Sequence, residues 1–310
     1  MSNLPEASQP GVQPPLSPLL VLFFGVLATS TSAILIRLAQ AEAPSTVIAA
    51  GRLTLATLLI TPLAVSRRRQ ELQDLSPSGW REGALSGIML GLHFAAYISA
   101  LEYTSIAAAT VLATSTPIWV GLAAPLVLGE PLTRRLKIGI TVAVVGSAVI
   151  GLDSGSGGSN PLLGNLLGLS SALSGAVYFL IGRRLRPRLS LLSYTSIVYG
   201  CAALVLIVLA LLGGHTLWRY SAMTLFLFLL MALFPQLLGH SSYNYALAFL
   251  PAAYVSVAII SEPIGASLLG LLIFRETPGI LTIGGGALIL GGIFIAGYRS
   301  APQAVGEKLT

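Results

Sequence analysis

Long apolar stretches separated by short polar segments run through almost the whole chain. A helix that crosses the hydrocarbon core of a bilayer needs about 20 mostly apolar residues. Ten stretches between turn signals approach this length, so the pattern predicts an all-α integral membrane protein with ten transmembrane helices. The predicted segments are 18–38, 45–66, 82–102, 105–128, 134–152, 162–182, 190–213, 221–248, 251–274 and 279–298.

The second half of the chain repeats the first at a fixed offset. A shift of 146 residues superposes Tyr97 on Tyr243 and Pro117 on Pro263, and across 97–151 it makes 14 of 55 positions identical without a gap. The same shift also pairs Glu130 with Glu276, Ser115 with Ser261, Arg37 with Arg183, and Gly139, Gly146 and Gly151 with Gly285, Gly292 and Gly297.

Each predicted half contains five helices, which is an odd number, so the second half is expected to cross the bilayer upside down. Inverted repeats place a substrate site near the midplane between the halves and permit alternating access to it. A duplicated scaffold without transport is the other explanation of such a repeat. The predicted division is a disordered cytoplasmic tail at 1–17, repeats at 18–152 and 162–298, an external linker at 153–161 and a cytoplasmic tail at 299–310.

Composition agrees with a membrane location. Hydrophobic residues make up 55% of the 310 residues, charged residues only 9%, and the mean hydropathy is +0.85. Soluble domains carry about 25% charged residues, so this chain has too few for a water-facing surface. The single cysteine, Cys201, excludes an internal disulfide and gives no support to a redox or metal cluster.

The cations predict an orientation in the bacterial inner (plasma) membrane. With both termini in the cytoplasm, thirteen of the seventeen Lys and Arg residues lie on the inner side, as the positive-inside rule requires. This bias accounts for the net charge of +6 without a nucleic-acid partner. The expected partners are therefore the lipid bilayer and a small-molecule substrate, and the sequence leaves the oligomeric state open.

Motifs for other chemistry are missing from the sequence. No G-x-x-x-x-G-K-[ST] phrase and no H-E-x-x-H phrase occurs, and the three histidines lie on separate segments. We therefore expect no cofactor, no metal site and no enzymatic activity. The small-residue stripe of Gly139, Ala143, Ser147 and Gly151 lets two helices approach closely, and it predicts packing between the halves or in a dimer.

Polar groups within apolar segments are costly, which makes them candidates for function. Glu262 lies midway along the ninth segment and directly precedes Pro263, a residue that frees a backbone carbonyl of the preceding turn. This carboxyl could bind a substrate amine, carry a proton, or form only an interhelical hydrogen bond.

Further candidates form two polar stripes and an aromatic set of Trp119, Tyr178 and Tyr254. His93 and Tyr97 share one face of the third segment, and Gln236, His240 and Tyr243 share one face of the eighth. Cavity lining and plain packing are both open for these stripes. The complete predicted substrate-binding set is His93, Tyr97, Pro117, Trp119, Tyr178, Gln236, His240, Tyr243, Asn244, Tyr254, Ser261 and Glu262.

The chain resembles the drug/metabolite transporter superfamily of the EamA type. The similarity rests on the ten-segment duplication, on the repeated Pro-x(12)-Glu phrase, on residues 50–59 and on Leu128-Gly-Glu-Pro-Leu132, and it covers about residues 18–298. It implies export of small metabolites with both termini in the cytoplasm. The aromatic-amino-acid exporter branch is the most similar part of that superfamily.

The leading hypothesis is a secondary exporter of small aromatic or amphiphilic amino acids. A broad drug/metabolite efflux pump is the first alternative, although the first and sixth segments lack the carboxylate that small four-helix pumps carry in their first helix. A lipid-acting intramembrane enzyme is less favoured, because His93, His240 and Glu262 match no nucleophile or metal-ligand spacing. A scaffold or receptor has no soluble domain here through which to signal.

Overall fold

A computed structural model describes residues 14–104, 106–153, 159–217, 219–274 and 280–297, and this part of the chain is helical without any strand. Helices occupy each of the ten predicted segments, and we number them α1–α10, with letters for the parts of an interrupted helix. The bounds are α1a Pro18–Ser30, α1b Ser32–Ala39, α2 Ser45–Gln73, α3 Pro77–Tyr103, α4a Ile106–Ala113, α4b Thr116–Val127, α5 Arg134–Asp153, α6 Pro161–Leu185, α7 Leu191–Leu212, α8a Ala222–Met231, a π-helix Ala232–His240, α8b Ser241–Leu247, α9a Ala252–Ile259, α9b Glu262–Phe274 and α10 Ile280–Gly297.

Seven of these helical stretches are long and apolar enough to cross a membrane, and two shorter apolar helices follow at Ala252–Ala266 and Ile283–Ala296. Ten crossings stay a prediction. Residues 1–13 of the predicted N-terminal tail, the C-terminal tail, most of the linker and Glu276 lie outside the described residues.

The outer surface of the bundle is apolar. Leu126 is 87% exposed and Leu212 is 81% exposed, and both lie on helices that are apolar over most of their length. Soluble proteins rarely expose such continuous apolar surface, whereas a helix facing lipid does so because all its backbone groups are bonded internally. The structure is that of a multi-pass membrane protein.

Helix packing follows the repeat. Helix α5 packs against α10, and α2 packs against α7. The contact between α3 and α6 has its counterpart in the contact between α8 and α1. Since α1–α5 correspond to α6–α10 at the repeat offset, every one of these contacts is matched by its repeat image, and the two halves are related by a pseudo-two-fold axis.

Glycines form the contact between α5 and α10. A Cβ atom built on Gly139 would lie 2.6 Å from the carbonyl oxygen of Gly292, and one on Gly146 would lie 2.6 Å from that of Gly285. Only glycine permits so close an approach of two backbones. Because the pairing runs in opposite directions along the two helices, repeat-related helices are antiparallel and the halves are inverted.

The predicted stripe therefore packs between the halves, which was one of its two expected roles. The side chains of Ser147 and Gly151 lie outside the described residues.

Two interruptions occur at equivalent positions. Helix α4 breaks between Ala113 and Thr116, and α9 breaks between Ile259 and Glu262, which is the same break shifted by 146 residues. In both, a proline follows as the second residue of the new helix and cannot donate a backbone hydrogen bond. The serine at each break donates to the carbonyl three residues earlier, at 2.6 Å for Ser115 and 2.5 Å for Ser261.

Two further irregularities have no repeat image. Helix α1 is interrupted at Thr31, whereas its counterpart α6 is continuous. The middle of α8 is a nine-residue π-helix containing Pro235, whereas its counterpart α3 is continuous. A π-helix interrupts the regular hydrogen-bond ladder and commonly occurs at functional sites.

Candidate functional site

A cavity of about 550 Å³, counting its opening, lies among helices α1, α2, α3, α4, α6, α8 and α9. Twelve of its seventeen lining residues form repeat pairs, which are Thr29 with Gly175, Ser32 with Tyr178, Phe94 with His240, Tyr97 with Tyr243, Ala113 with Ile259 and Thr116 with Glu262. The other five are Arg52, His93, Thr110, Thr114 and Phe179.

The cavity is centred on the pseudo-two-fold axis. Phe94 and His240 are repeat mates, and their rings meet edge to face with centroids 4.9 Å apart. Two residues related by a rotation axis can touch each other only near that axis. The geometry therefore agrees with the site between inverted halves that the repeat predicts.

Aromatic rings form much of the wall. The ring of His240 has its centroid 6.2 Å from that of His93, 5.4 Å from that of Tyr243 and 6.5 Å from that of Tyr178. The Nδ1 atom of His93 lies 2.9 Å from both the carbonyl oxygen and the hydroxyl oxygen of Ser171. The two predicted polar stripes do face each other, on α3 and α8.

Glu262 is the only acidic residue of the lining. It is the first residue of α9b, where the exposed N–H groups of a helix favour a negative charge. The hydroxyl of Tyr243 donates a 2.7 Å hydrogen bond to its Oε1 atom, and the hydroxyl of Thr29 lies 2.5 Å from that of Tyr243. Hydroxyl groups of α1 and α8 therefore fix the position of this carboxyl on α9.

Among the described residues of the lining, Arg52 is the only lysine or arginine. It was not among the predicted site residues. Its side chain is 1% exposed, and its Cζ atom lies 4.2 Å from the centroid of the Phe94 ring. Its Nε donates to Oε1 of Gln236 and its Nη1 donates to Oγ of Ser32, both at 2.9 Å. The sequence did contain a signal, because a lone arginine within an apolar segment is a functional candidate by default.

Six of the twelve predicted residues line the cavity, namely His93, Tyr97, Tyr178, His240, Tyr243 and Glu262. Gln236 and Asn244 are fully buried behind the wall, where Gln236 accepts from Arg52 and Asn244 accepts from the hydroxyl of Tyr178 at 2.6 Å.

The remaining four predicted residues lie elsewhere. Pro117 and Ser261 belong to the two helix breaks. Trp119 and Tyr254 are half-buried against the core and do not line the cavity, and the Nε1 atom of Trp119 is buried without a partner. Substrate contact by these four stays a prediction. Among the described residues, no group of three or more His, Cys, Asp or Glu side chains is placed to hold a metal.

The Leu128-Gly-Glu phrase forms an ion pair at the end of the bundle predicted to face the cytoplasm. Gly129 has a φ of +67°, the left-handed conformation that commonly ends a helix. Glu130 then lies 2.5 Å from Nε of Arg183 and accepts from the backbone N–H of Ala252 at 3.2 Å. This pair joins the ends of α4b and α6 to the beginning of α9a.

Comparison with known proteins agrees with this architecture. The model of the EamA-like transporter family matches residues 16–152 and again residues 162–298. The chain is 26% identical over 201 residues to the protein described as uncharacterized transporter YetK of Bacillus subtilis (strain 168), a match that spans 63% of this chain and 61% of that protein. It is 23% identical over 208 residues to an uncharacterized transporter of Archaeoglobus fulgidus, across 66% of this chain and 72% of that one.

A solved crystal structure shares the fold, with a TM-score of 0.73 and 21% identity over 90% of this chain and 96% of its own. The family match covers nearly all of the chain, and it falls on the same two halves that the 146-residue offset and the pseudo-two-fold packing define. The chain therefore belongs to the EamA-like transporter family and contains two copies of the family domain.

Proposed function

We propose that the protein exports small metabolites, with aromatic or amphiphilic amino acids as the favoured class, by alternating access through the axial cavity. The observation that carries this proposal is the cavity itself, which lies between inverted halves and is lined mainly by repeat pairs. Such a site can open to either side when the two halves exchange conformations. Its wall of His, Phe and Tyr rings suits a flat apolar group, and its two charged residues suit a solute with polar ends.

Solute flux in proteoliposomes tests this function. Purified protein in liposomes preloaded with an unlabelled aromatic amino acid is expected to accumulate the labelled form by counterflow. Protein-free liposomes and liposomes containing Glu262→Gln provide the controls. Counterflow at the protein-free rate for every amino acid would contradict the proposal, and faster flux of apolar cations than of amino acids would favour the broad efflux pump.

We also infer that both termini face the cytoplasm of a bacterial cell. In a Cys201→Ser background, single cysteines at the exposed positions Thr216 and Gln73 report opposite sides of the membrane. A membrane-impermeant thiol reagent added to intact cells is expected to label the first and not the second. The reverse result would invert the topology.

A further inference from the structure

Neither of the two charged residues of the cavity has a charged counterpart in the other half. The repeat counterpart of Glu262 is Thr116, and the counterpart of Arg52 is Val198, which is buried outside the cavity lining. The other lining residues are aromatic, small, aliphatic or hydroxyl-bearing. Each charge therefore occurs in one half only, and the duplication of the helical scaffold does not explain it.

The guanidinium of Arg52 is held in place but incompletely paired. Ser32 and Gln236 accept from two of its nitrogens, and Phe94 supports its face. The third nitrogen, Nη2, is buried and has no hydrogen-bond partner. Its described partners are all neutral, although a buried cation is stabilised mainly by a paired anion. A fixed guanidinium with an unused donor is suited to a carboxylate, which it binds through its planar fork.

Glu262 does not supply that carboxylate. Among the described residues, Arg52 and Glu262 form no ion pair with each other, although both line the same cavity. The carboxyl of Glu262 is instead held by Tyr243. The cavity thus presents an acceptor for an ammonium group and, separately, a donor for a carboxylate group.

We propose that Arg52 binds the carboxylate of a zwitterionic solute whose ammonium group lies at Glu262, so that the two residues together select solutes carrying both groups. This proposal rests on the proposed function, and it assigns the residues that bind the two charged groups of the solute. The aromatic wall between the two charges contacts the side chain of the solute. Ser32 and Gln236 are positioning residues, because they act on the solute only through the guanidinium.

Three probes that share a phenylethyl group test the assignment, namely L-phenylalanine, phenethylamine without the carboxylate, and 3-phenylpropionate without the amine. Affinity is measured as inhibition of counterflow and as direct binding to protein in lipid nanodiscs. Arg52→Gln is expected to weaken L-phenylalanine and 3-phenylpropionate by about tenfold or more, the effect of one charge-assisted hydrogen bond. Phenethylamine is expected to bind unchanged or more tightly. Glu262→Gln should weaken L-phenylalanine and phenethylamine and leave 3-phenylpropionate unchanged or more tightly bound. Arg37→Gln, which removes an exposed cation, should alter the binding of none of the three.

Equal weakening of all three probes in a folded Arg52→Gln protein would overturn the proposal, because a structural role affects every ligand alike. Arg52→Lys covers the case in which the glutamine variant does not fold, since it keeps the charge but loses the fork. It should weaken the two carboxylates and spare the amine. If the wild type carries none of the probes, the proposed function fails. If the wild type transports the probes but 3-phenylpropionate binds equally well to the Arg52 variants, only the role of Arg52 fails.

Discussion

The interruptions of α4 and α9 share one geometry and differ in the side chain that begins the second part of the helix. Both helices break at equivalent positions, and both resume at a residue followed by proline. In α4 that residue is Thr116, whose hydroxyl donates to the carbonyl of Ala113 at 3.0 Å within its own break. In α9 it is Glu262, which accepts from Tyr243 of another helix. The hydroxyl of Thr116 is hydrogen-bonded within its own helix, whereas the carboxyl of Glu262 presents a negative charge to the cavity.

This difference separates what duplication supplies from what substitution supplies. The repeated Ser-x-Pro phrase at the two breaks produces the same backbone twice, and the glycines of α5 and α10 fit the halves together in the same way from both sides. Neither feature selects a solute. The polar ends of the cavity come from single positions, Arg52 and Glu262, at which the two halves have diverged.

Glu262→Gln is expected to have the largest effect on transport. The glutamine keeps the shape but loses the charge that an ammonium group would meet, and truncating a partner of a buried charge pair costs about 2 kcal/mol or more. Transport of L-phenylalanine should fall at least about 30-fold. The matched control is Thr116→Val, which should retain transport within about threefold since its hydroxyl donates only to the backbone carbonyls of Ala113 and Ala172. Wild-type flux by the Glu262 variant at equal protein level would reduce that carboxyl to a packing group.

The glycine contact provides a test of the symmetric frame. A Cβ at Gly146 or at its repeat mate Gly292 would lie 2.6 Å from a facing carbonyl oxygen. Each alanine substitution is expected to lower the free energy of unfolding by about 1–3 kcal/mol, since backbone must move to admit the methyl group. Unfolding in a graded series of SDS fractions measures both. Losses that differ by more than about 1 kcal/mol would show that the two halves do not share the contact equally.

The repeat pair Tyr97 and Tyr243 tests the difference between the halves at the level of one hydroxyl. Tyr243→Phe removes the 2.7 Å hydrogen bond to Glu262, whereas Tyr97→Phe removes only a 3.4 Å contact with Thr110. Hydrogen bonds to charged groups contribute about 1.5–3 kcal/mol and neutral ones about 1 kcal/mol. Transport should therefore fall about tenfold in the first variant and only slightly in the second. Equal losses would mean that both hydroxyls contact the solute directly.

The smallest effect is expected at Glu42, in the loop between α1b and α2. The N–H of Ser221 and the hydroxyls of Ser221 and Thr224 donate to this carboxylate, and these hydrogen bonds lower its pKa. A lowered pKa in the folded state adds stability above the unfolded value of about 4.5, and this stability is lost as the pH falls through the folded value. Glu42→Gln should thus lower the thermal midpoint slightly at neutral pH and not in acid. A deficit that grows on acidification would contradict this assignment.

Much of the frame could be predicted from the sequence. Apolar stretches and turn signals located the ten helical segments, and the offset of 146 residues predicted the packing of the two halves. Glu262 stood out because a carboxyl next to a proline in an apolar segment has few ordinary roles. The two predicted polar stripes do face each other at His93 and His240.

The rest depended on contacts that a linear pattern does not contain. Arg52 was not among the predicted site residues, although its position within the second apolar segment was visible. Gln236 lies on the predicted face of α8, but the π-helix places it behind the wall against Arg52. Trp119 follows the break in α4 closely in sequence, yet it packs half-buried against the core and does not line the cavity.

The contact between Phe94 and His240 has a consequence for how a solute can lie in the protein. A binding site on a perfect two-fold axis offers every asymmetric molecule two equivalent poses, related by a half-turn, and it cannot distinguish the head of the molecule from its tail. One phenyl ring and one imidazole meet on this axis instead of two identical rings. Together with the single arginine and the single glutamate, this mismatch gives the cavity a polarity. A zwitterion held by both charges has one pose in it, with its head and tail assigned by the protein.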